Sequence, residues 1–306
     1  MHVKIVRHTV DESETAGIRL DKYISDKLLI ITRSQLKARL AKVLVNGIQA
    51  KLSKKINPGD ELEISITAPP HPDISAEDIK LDIIYEDKNV IVINKPQGMV
   101  VHPGSGINSG TLINALLFYV KELKANFNEE IRPGIVHRLD KDTSGVIITA
   151  KNPFAHEYLS TQFRKRKSKK VYLSIVKGQP QYSNYEIDTF ISRDPKNRKR
   201  FKVSNNTGKR SVTEYEILRA YNNYTFLRMK PKTGRTHQLR VHACSMGCPI
   251  LGDPIYSRSD ARFPEITLML HAFKLYIKLL GEDNTRLFRA PIPARFNNFF
   301  KLQQNK

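Results

Sequence analysis

The chain has few cysteines. Its 306 residues include two, Cys244 and Cys248. Two thiols are too few for a structural zinc site unless histidines join them. His242 is close in sequence, but a fourth ligand is not evident. We therefore interpret both cysteines as small, buried, apolar residues, with no metal site.

Long apolar runs are also missing. A transmembrane helix needs about 20 consecutive apolar residues, and no stretch of the chain approaches that length. The N-terminal MHVKIVRHTVDE has no apolar signal core, which predicts a cytoplasmic protein. The sequence shows no convincing basic amphipathic helix for an anionic membrane surface, so no membrane partner is expected.

Acidic residues are scarce relative to basic ones. Thirty Asp and Glu stand against 51 Lys and Arg, a formal net charge of +21. Such an excess indicates a polyanionic partner, of which nucleic acid is the usual one. The chain is 40% hydrophobic and long enough for two domains or one large one.

The first 66 residues form a predicted small domain. GIRLDKYISDKLL has apolar residues at helical spacing, and TRSQ has the capping-box pattern that opens a second helix over SQLKARLAK, residues 34–42. VLVNGIQA predicts a strand–Asn-Gly–strand hairpin, and INPGDELEISI adds a turn and a strand. The second helix has a basic face that is either merely solvated or contacts RNA; we favour RNA contact, and the candidates are Arg33, Lys37 and Arg39.

RLDKYI, TRSQLKARLA, VLVNG and NPGDEL together resemble the small RNA-binding domain named after ribosomal protein S-four. That domain occurs in several RNA-modifying and RNA-binding proteins. The resemblance therefore implies a ligand class, RNA, and not a reaction.

A proline-rich segment, residues 67–80, predicts a stiff linker. From residue 81 to 306 short strands dominate, with helices interspersed irregularly. They include LDIIYED, NVIVINKP, GVIITAK, KKVYLSIVKG, TEYEILRAY, YTFLRMKP and ITLMLHAFKLYI as strands, and TLINALLFYVKEL and AHEYLSTQFRKR as helices. We predict an α+β catalytic domain with a mixed, largely antiparallel sheet flanked by helices, behind a small α+β RNA-binding domain.

Three stretches concentrate polar chemistry. GIVHRLDKDTSG, residues 134–145, sets two Asp and two basic residues between glycines, directly before an apolar strand. Taken alone, it is equally well a polar loop with a capping Asp. KKVYLSIVKG carries Tyr172 in an alternating strand, where a tyrosine usually serves packing. GRTHQLRVH, residues 234–242, places His237 and Arg240 one turn apart on a predicted helix that Gly247 ends.

In this order the three stretches resemble the RluA-type pseudouridine synthases, over most of residues 81–275. NKPQGMVVHPG and GCPILGDPIY add to the match. VVHPGSG, GTLINALL and the N-terminal domain resemble most closely the RluD branch, which acts on large-subunit ribosomal RNA. Sibling branches with other RNA targets share nearly all of these motifs.

The resemblance implies roles for the motif residues. Pseudouridine formation breaks a glycosidic C–N bond, and an ionised carboxylate suits attack at the anomeric carbon. Asp140 matches that nucleophile, with Arg240 as its ion-pair partner and Tyr172 as the active-site aromatic that stacks on uracil or relays the proton from carbon five. Asp142 is the competing carboxylate. The candidate substrate-binding residues are Arg138, for a phosphate or a displaced base, and His137, Arg235, His237 and Gln238.

The expected reaction is isomerisation of uridine in structured RNA, with 23S ribosomal RNA as the expected target, after the base is flipped out. Basic runs at 164–170 and 193–202 are expected to hold RNA phosphates. No metal or organic cofactor is implied, and we expect a monomer that binds RNA, in ribosomal RNA or a pre-ribosomal particle. Open alternatives are another RNA target, a non-catalytic RNA-binding or ribosome-assembly protein, and a nucleoside hydrolase. The sequence leaves open whether Asp140 attacks covalently or first removes a sugar proton.

Overall fold

The chain, seen in a computed structural model, divides into two compact units, Met1–Pro72 and Asp73–Lys306. Each unit has its own hydrophobic core. No helix within the described part of the chain has the length and apolar character needed to cross a membrane. The residues that the structure describes are 3–14, 16–28, 30, 36, 40–67, 74–104, 106–127, 133–197 and 199–304.

The two ends of the predicted linker, residues 67–80, are part of the flanking units. Thr67 still belongs to the last strand of the first unit. Ile74 is buried in the core of the second unit, and the backbone N–H of Glu77 donates to the carbonyl of Asn114 at 3.0 Å. Residues 74–80 therefore belong to the second unit, because an apolar side chain and a backbone hydrogen bond fix them there.

The strands of the first unit, β1 to β6, are Val3–Thr9, Ile18–Arg19, Leu40–Val45, Ile48–Gln49, Lys55–Ile56 and Glu61–Thr67. Four of them form an antiparallel sheet in the order β1-β6-β3-β4, and β2 and β5 pair separately. A helix over Leu20–Lys22 continues as a π-helical turn over Tyr23–Lys27. Alternate residues of β6 are buried, as expected for a strand with one face on the core.

The predicted second helix, residues 34–42, is wrong at its C-terminal end. Leu36 is helical and fully buried, but β3 begins at Leu40 and pairs with β6. The β-branched Val43 and Val45 explain the difference, because their side chains pack on the same face of the sheet. Three candidate RNA contacts lie outside the described residues: Arg33, Lys37 and Arg39.

The predicted Asn-Gly hairpin is confirmed. Asn46 and Gly47 both have positive φ, 53° and 77°, and Val45 pairs with Ile48 on either side of them. Two central residues with positive φ are typical of the tight turn that matches the twist of antiparallel strands.

The second unit is built on a ten-stranded sheet. Its strands β7 to β16 are Ile83–Glu86, Val90–Lys95, Ser144–Ala150, Lys169–Lys177, Asn184–Arg193, Phe201–Ser204, Lys209–Tyr221, Tyr224–Pro231, Leu270–Lys278 and Thr285–Arg289. Its helices, numbered α2 to α6 after the Leu20–Lys22 helix α1, are Leu112–Tyr119, Leu123–Asn126, Pro153–Arg164, Gln238–Ser245 and Ala294–Gln304.

The strand order is β12-β11-β13-β14-β10-β15-β9-β8-β7, with β16 beside β15. Among the described strands the pairing is antiparallel except between β9 and β15, which are parallel. The predicted mixed, largely antiparallel sheet is confirmed. Strands β11, β12 and β16 were missed, because their exposed and charged residues obscure the alternation that marks a half-buried strand. The last helix, Ala294–Gln304, was also missed.

Two hydrophobic clusters fill the second unit. One joins β8 and β9 to α2 and α4, and the other joins β10 and β14 to α5 and α6. Tyr172, in β10, contacts both clusters. The tyrosine that the sequence singles out therefore lies at the junction between the two halves of the core.

Candidate active site

A cavity of about 500 Å³ opens beside β10 and collects the residues of all three motifs. Its size suits a small ligand or a single flipped nucleotide. Among the described residues one carboxylate, Asp140, lines it. The basic side chains that line it are Arg138, Arg164, Arg166, Lys170, Lys232, Arg235 and Arg240.

The loop that carries Asp140 is held by its flanking backbone. Leu139 is buried in the core, which leaves Arg138 exposed on one side and Asp140 half-buried on the other. The loop leads directly into β9, where Gly145 has a φ of 116° and a Cβ would collide with the carbonyl oxygen of Ala272 in β15. Only glycine permits this close approach, and this explains the glycine that ends the motif.

Lys95 holds the Asp140 loop through hydrogen bonds to backbone carbonyls. It is fully buried, and its Nζ donates to the carbonyls of Pro96 and Met99 at 2.8 Å and of Lys141 at 3.1 Å. Three carbonyls match the three N–H donors of an ammonium group. Burial lowers the pKa of Lys95 to about 7, opposed by the nearby charges of Asp142 and Asp140.

Arg240 lies between two carboxylates. Its Nε and Nη2 donate to Asp253 at 2.7 and 2.8 Å, a two-point bond, while Nη1 lies 3.4 Å from Asp140 Oδ2. The side chains of Arg240 and Asp253 are 3% and 0% exposed, whereas that of Asp140 is 20% exposed. Asp253 therefore fixes the guanidinium, and Asp140 is the carboxylate that remains open to the cavity.

His237 is the second group that faces Asp140, with Nε2 3.9 Å from Oδ2. The hydroxyl of Tyr256 accepts a hydrogen bond from the Phe201 N–H and lies 2.9 Å from His237 Nδ1. The hydroxyl proton is then free to be donated to Nδ1, which places the ring proton of neutral His237 on Nε2, towards Asp140. Burial lowers the pKa of His237, with Asp140 opposing, so the neutral form is favoured.

Tyr172 lines the cavity at a bulge where the register between β10 and β15 shifts. Burial, and secondarily the charge of Asp140, raises the pKa of its hydroxyl well above the ordinary value of 10. The hydroxyl is therefore neutral near neutral pH. The ring and the Asp140 carboxylate are near neighbours in one cavity.

Two predicted substrate-binding residues are engaged within the protein. Gln238 accepts from the Thr233 hydroxyl and the Arg235 N–H, and donates to the Val212 carbonyl and the Thr213 hydroxyl. All of its donors are thus used, and it joins the GRTHQLRVH loop to β13.

The ring of His137 is likewise fixed. Its Nε2 accepts from the Ile148 N–H at 3.1 Å, and it stacks on Phe163 with ring centroids 4.4 Å apart. Burial, helped by Lys170, lowers its pKa to about 3. Arg235 lines the cavity but donates to the carbonyl of Arg210. Arg138, in contrast, is exposed at the cavity rim.

Two residues that hold the candidate site in place lacked a predicted role. Asp253 stands in GCPILGDPIY and Lys95 in NKPQGM, both parts of the matched motifs. Their roles could have been suspected from the sequence, because each is a charged residue in an otherwise apolar or turn-forming motif. Asp142, the competing carboxylate, lies near Lys95 and not among the cavity-lining residues.

A half-buried carboxylate held beside an arginine, with a neutral tyrosine and a rim of cations, is an arrangement suited to catalysis on an anionic substrate such as an RNA nucleotide. The family model for RNA pseudouridylate synthase matches residues 89–245. The chain belongs to this family and is therefore an isomerase that acts on uridine in RNA.

Relatives agree with this assignment. The chain is 46% identical, over 94% of its length and 91% of the relative, to a protein of Borreliella burgdorferi named ribosomal large subunit pseudouridine synthase D. It is 38% identical to an uncharacterized RNA pseudouridine synthase of Bacillus subtilis, over 92% of each chain. Among solved structures, human RNA pseudouridylate synthase domain containing 4 aligns with a TM-score of 0.59 at 25% identity, covering 72% of this chain and 92% of that one.

Proposed function

We propose that this protein converts uridine to pseudouridine in large-subunit ribosomal RNA, with Asp140 as the attacking carboxylate. The observation that carries the proposal is the position of Asp140, half-buried in a cavity of basic side chains and 3.4 Å from Arg240. The RNA target is supported by the relative of 46% identity, whose name specifies the large ribosomal subunit.

The exposed rim of the cavity suits a flipped nucleotide. A stacked uridine cannot reach a recessed carboxylate, so the base must leave the helix at a cost of a few kcal/mol. Arg138 lies at the rim, beside the Asp140 loop. We assign it to the phosphate next to the flipped uridine or to the space that the base leaves.

Asp140 then acts at the anomeric carbon of the bound uridine. Arg240 lies 3.4 Å from this carboxylate, and Asp253 keeps Arg240 in place without lining the cavity. The carboxylate either bonds to the anomeric carbon or stabilises the cation that forms there, as carboxylates do in glycoside hydrolysis. An initial removal of a sugar proton by Asp140 is the other route that this placement allows.

Tyr172 is suited to stack on the uracil. The hydroxyl of Tyr172 is neutral near neutral pH, so it acts as a hydrogen-bonding group. It can accept the proton from carbon five only if it gives its own proton to another acceptor at the same time. Stacking on an aromatic ring is worth about 1–3 kcal/mol per base.

The first unit is assigned to RNA anchoring. Its motifs resemble an RNA-binding domain, and the residues named for chemistry belong to the second unit. We further propose a monomer that works in the cytoplasm on ribosomal RNA or a pre-ribosomal particle. Size-exclusion chromatography with light scattering tests the monomer directly.

The decisive experiment compares purified protein on unmodified transcripts of large-subunit ribosomal RNA and of transfer RNA, with pseudouridines mapped at nucleotide resolution. We expect conversion of one or a few uridines in the ribosomal transcript, without release of free uracil. Conversion of the transfer RNA alone would refute the target. Free uracil as product would indicate a hydrolase, and binding without conversion would indicate a non-catalytic RNA-binding protein.

A further inference from the structure

Lys170 lies deeper in the cavity than the rim arginines and has no role in the scheme above. It precedes Tyr172 by two residues in β10, and both side chains line the cavity, whereas Val171 and Leu173 face a separate groove. Residues two apart on one face of a strand are about 7 Å apart. Lys170 is therefore placed to reach a ring that stacks on Tyr172.

Within the described part of the chain, the ammonium group of Lys170 has no anionic partner. Four of the other basic residues that line the cavity have protein partners: Arg164, Lys232, Arg235 and Arg240. Arg138 and Arg166 are exposed, while Lys170 is half-buried. Among the described residues, no hydrogen bond or ion pair engages its Nζ, which lies 5.9 Å from the centroid of the Phe163 ring.

A half-buried cation without a partner is costly, unless a ligand supplies the missing negative charge. Phosphates remain on the RNA backbone at the rim, while the flipped base enters the cavity. We infer that the Lys170 ammonium binds a carbonyl oxygen of the flipped uracil and stabilises the negative charge that the ring carries while it is detached from the sugar. This inference rests on the proposed isomerisation.

The chemistry of the detached base gives such a cation a role. When the C1′–N1 bond breaks, its electron pair stays on the ring, and the negative charge spreads over N1, O2 and O4. The ring then turns about its N3–C6 axis, which exchanges N1 with C5 and O2 with O4. A fixed cation therefore meets a carbonyl oxygen both before and after the turn.

The second half of the reaction restores neutrality. C5 bonds to C1′ and loses its proton, N1 gains one, and the Asp140 carboxylate is released, so atoms and charge balance. A preorganised donor aimed at charge that develops during reaction is worth roughly 10²–10³-fold in rate. Lys170 would supply that donor on the base, as Arg240 and Asp140 act at the sugar.

The protonation of Lys170 gives a separate sign of this role. Burial lowers the pKa of Lys170 below the ordinary value of 10.5. The wild-type chemical step should therefore slow at alkaline pH, as the ammonium loses its proton. An arginine in the same place keeps its charge, and its rate should not fall over that range.

The test measures single-turnover conversion of the ribosomal transcript at saturating protein for wild type, Lys170→Met and Lys170→Arg. Lys301→Met, on an exposed position of α6, removes one positive charge elsewhere and is the matched control. We expect Lys170→Met to be roughly 10²-fold slower with RNA affinity within threefold, and the control to remain near wild type. Lys170→Arg should recover part of the loss at neutral pH, because it keeps the positive charge in a different geometry. Thermal melting verifies that each variant is folded.

Two outcomes would overturn the inference. Lys170→Met with an unchanged saturating rate and a raised Kd for RNA would show that Lys170 holds a phosphate. Equal alkaline slowing of wild type and Lys170→Arg would show that the lysine proton is irrelevant to the chemical step. Failure of wild type to convert any transcript would instead refute the proposed function, so the two failures are distinguishable.

Discussion

The bond between Arg240 and Asp253 determines how Asp140 is presented to the cavity, and Asp253→Asn tests it. Asp253 Oδ2 accepts from Arg240 Nε, while Oδ1 accepts from Arg240 Nη2 and from the backbone N–H groups of Ile255 and Tyr256. In the variant, the amide oxygen keeps the Oδ1 contacts. The amide NH₂ then opposes the Nε–H, and the negative charge is lost.

The magnitude follows from burial. Both side chains are almost fully removed from solvent, and breaking a buried pair by removing one partner costs about 3–5 kcal/mol. Arg240 is then left with Asp140, 3.4 Å away, as its remaining carboxylate. A guanidinium drawn onto Asp140 would occupy the oxygen that should reach the anomeric carbon. We expect a chemical step slower by about 10²-fold, which corresponds to about 2.7 kcal/mol.

The assay is single-turnover conversion at saturating protein, together with the free energy of unfolding from urea titration. Asp283→Asn, on an exposed turn, is the control and should stay within about 0.5 kcal/mol of wild type. Arg240→Lys should also be slow, because an ammonium lacks the planar fork that spans two carboxylates. An Asp253→Asn variant with wild-type stability and a rate within twofold would refute the reasoning.

Four further outcomes are expected. Asp140→Asn should abolish conversion with RNA affinity within twofold in filter binding; comparable turnover would remove Asp140 as nucleophile. Gly145→Ala should lower the free energy of unfolding by more than 2 kcal/mol, since its Cβ would meet a backbone carbonyl; an unchanged melting temperature would contradict the close approach. Residues 73–306 alone should give a cooperative melt and weaker RNA binding with residual turnover; loss of the fold would show that the second unit depends on the first. Burial lowers the pKa of His271 from 6.5 to about 4, so between these pH values the unfolded chain binds more protons than the folded one. The free energy of unfolding should therefore fall as the pH drops from 6.5 to 4. A smaller fall in His271→Gln would assign part of the pH dependence to His271, and an identical fall would contradict that assignment.

The sequence predicts those residues of the candidate site whose type and local spacing indicate a chemical role. Asp140, Tyr172 and Arg240 come from three separate stretches, and the resemblance to one family joined them; the structure places them in one cavity. The sequence did not predict which residues hydrogen-bond to one another around the site. Lys95 binds the carbonyl of Lys141, 46 residues away, and nothing in either stretch alone specifies that contact.

The same limitation applies to Gln238 and His137, which the sequence predicts to bind substrate and whose internal hydrogen bonds it does not reveal. A polar side chain beside a catalytic residue looks available in a sequence, but a buried polar atom must be satisfied, and here the protein itself satisfies it. The fold shows a comparable effect in the first unit. Helical spacing predicted a helix through residue 42, and strand pairing from Leu40 overrides that local preference.

The strained backbone around the cavity shows why the internal hydrogen bonds of the site are needed. Arg166 and His237 both have a φ of 55°, a left-handed conformation that is unfavourable for side chains of their size, and both line the cavity. Conformations of this kind cost about 1–3 kcal/mol each and persist only where surrounding contacts over-determine them. At His237 those contacts are the hydroxyl of Tyr256 and the fully bonded Gln238 that follows. Because α5 begins directly after His237, the same contacts set the direction from which Arg240 approaches Asp140.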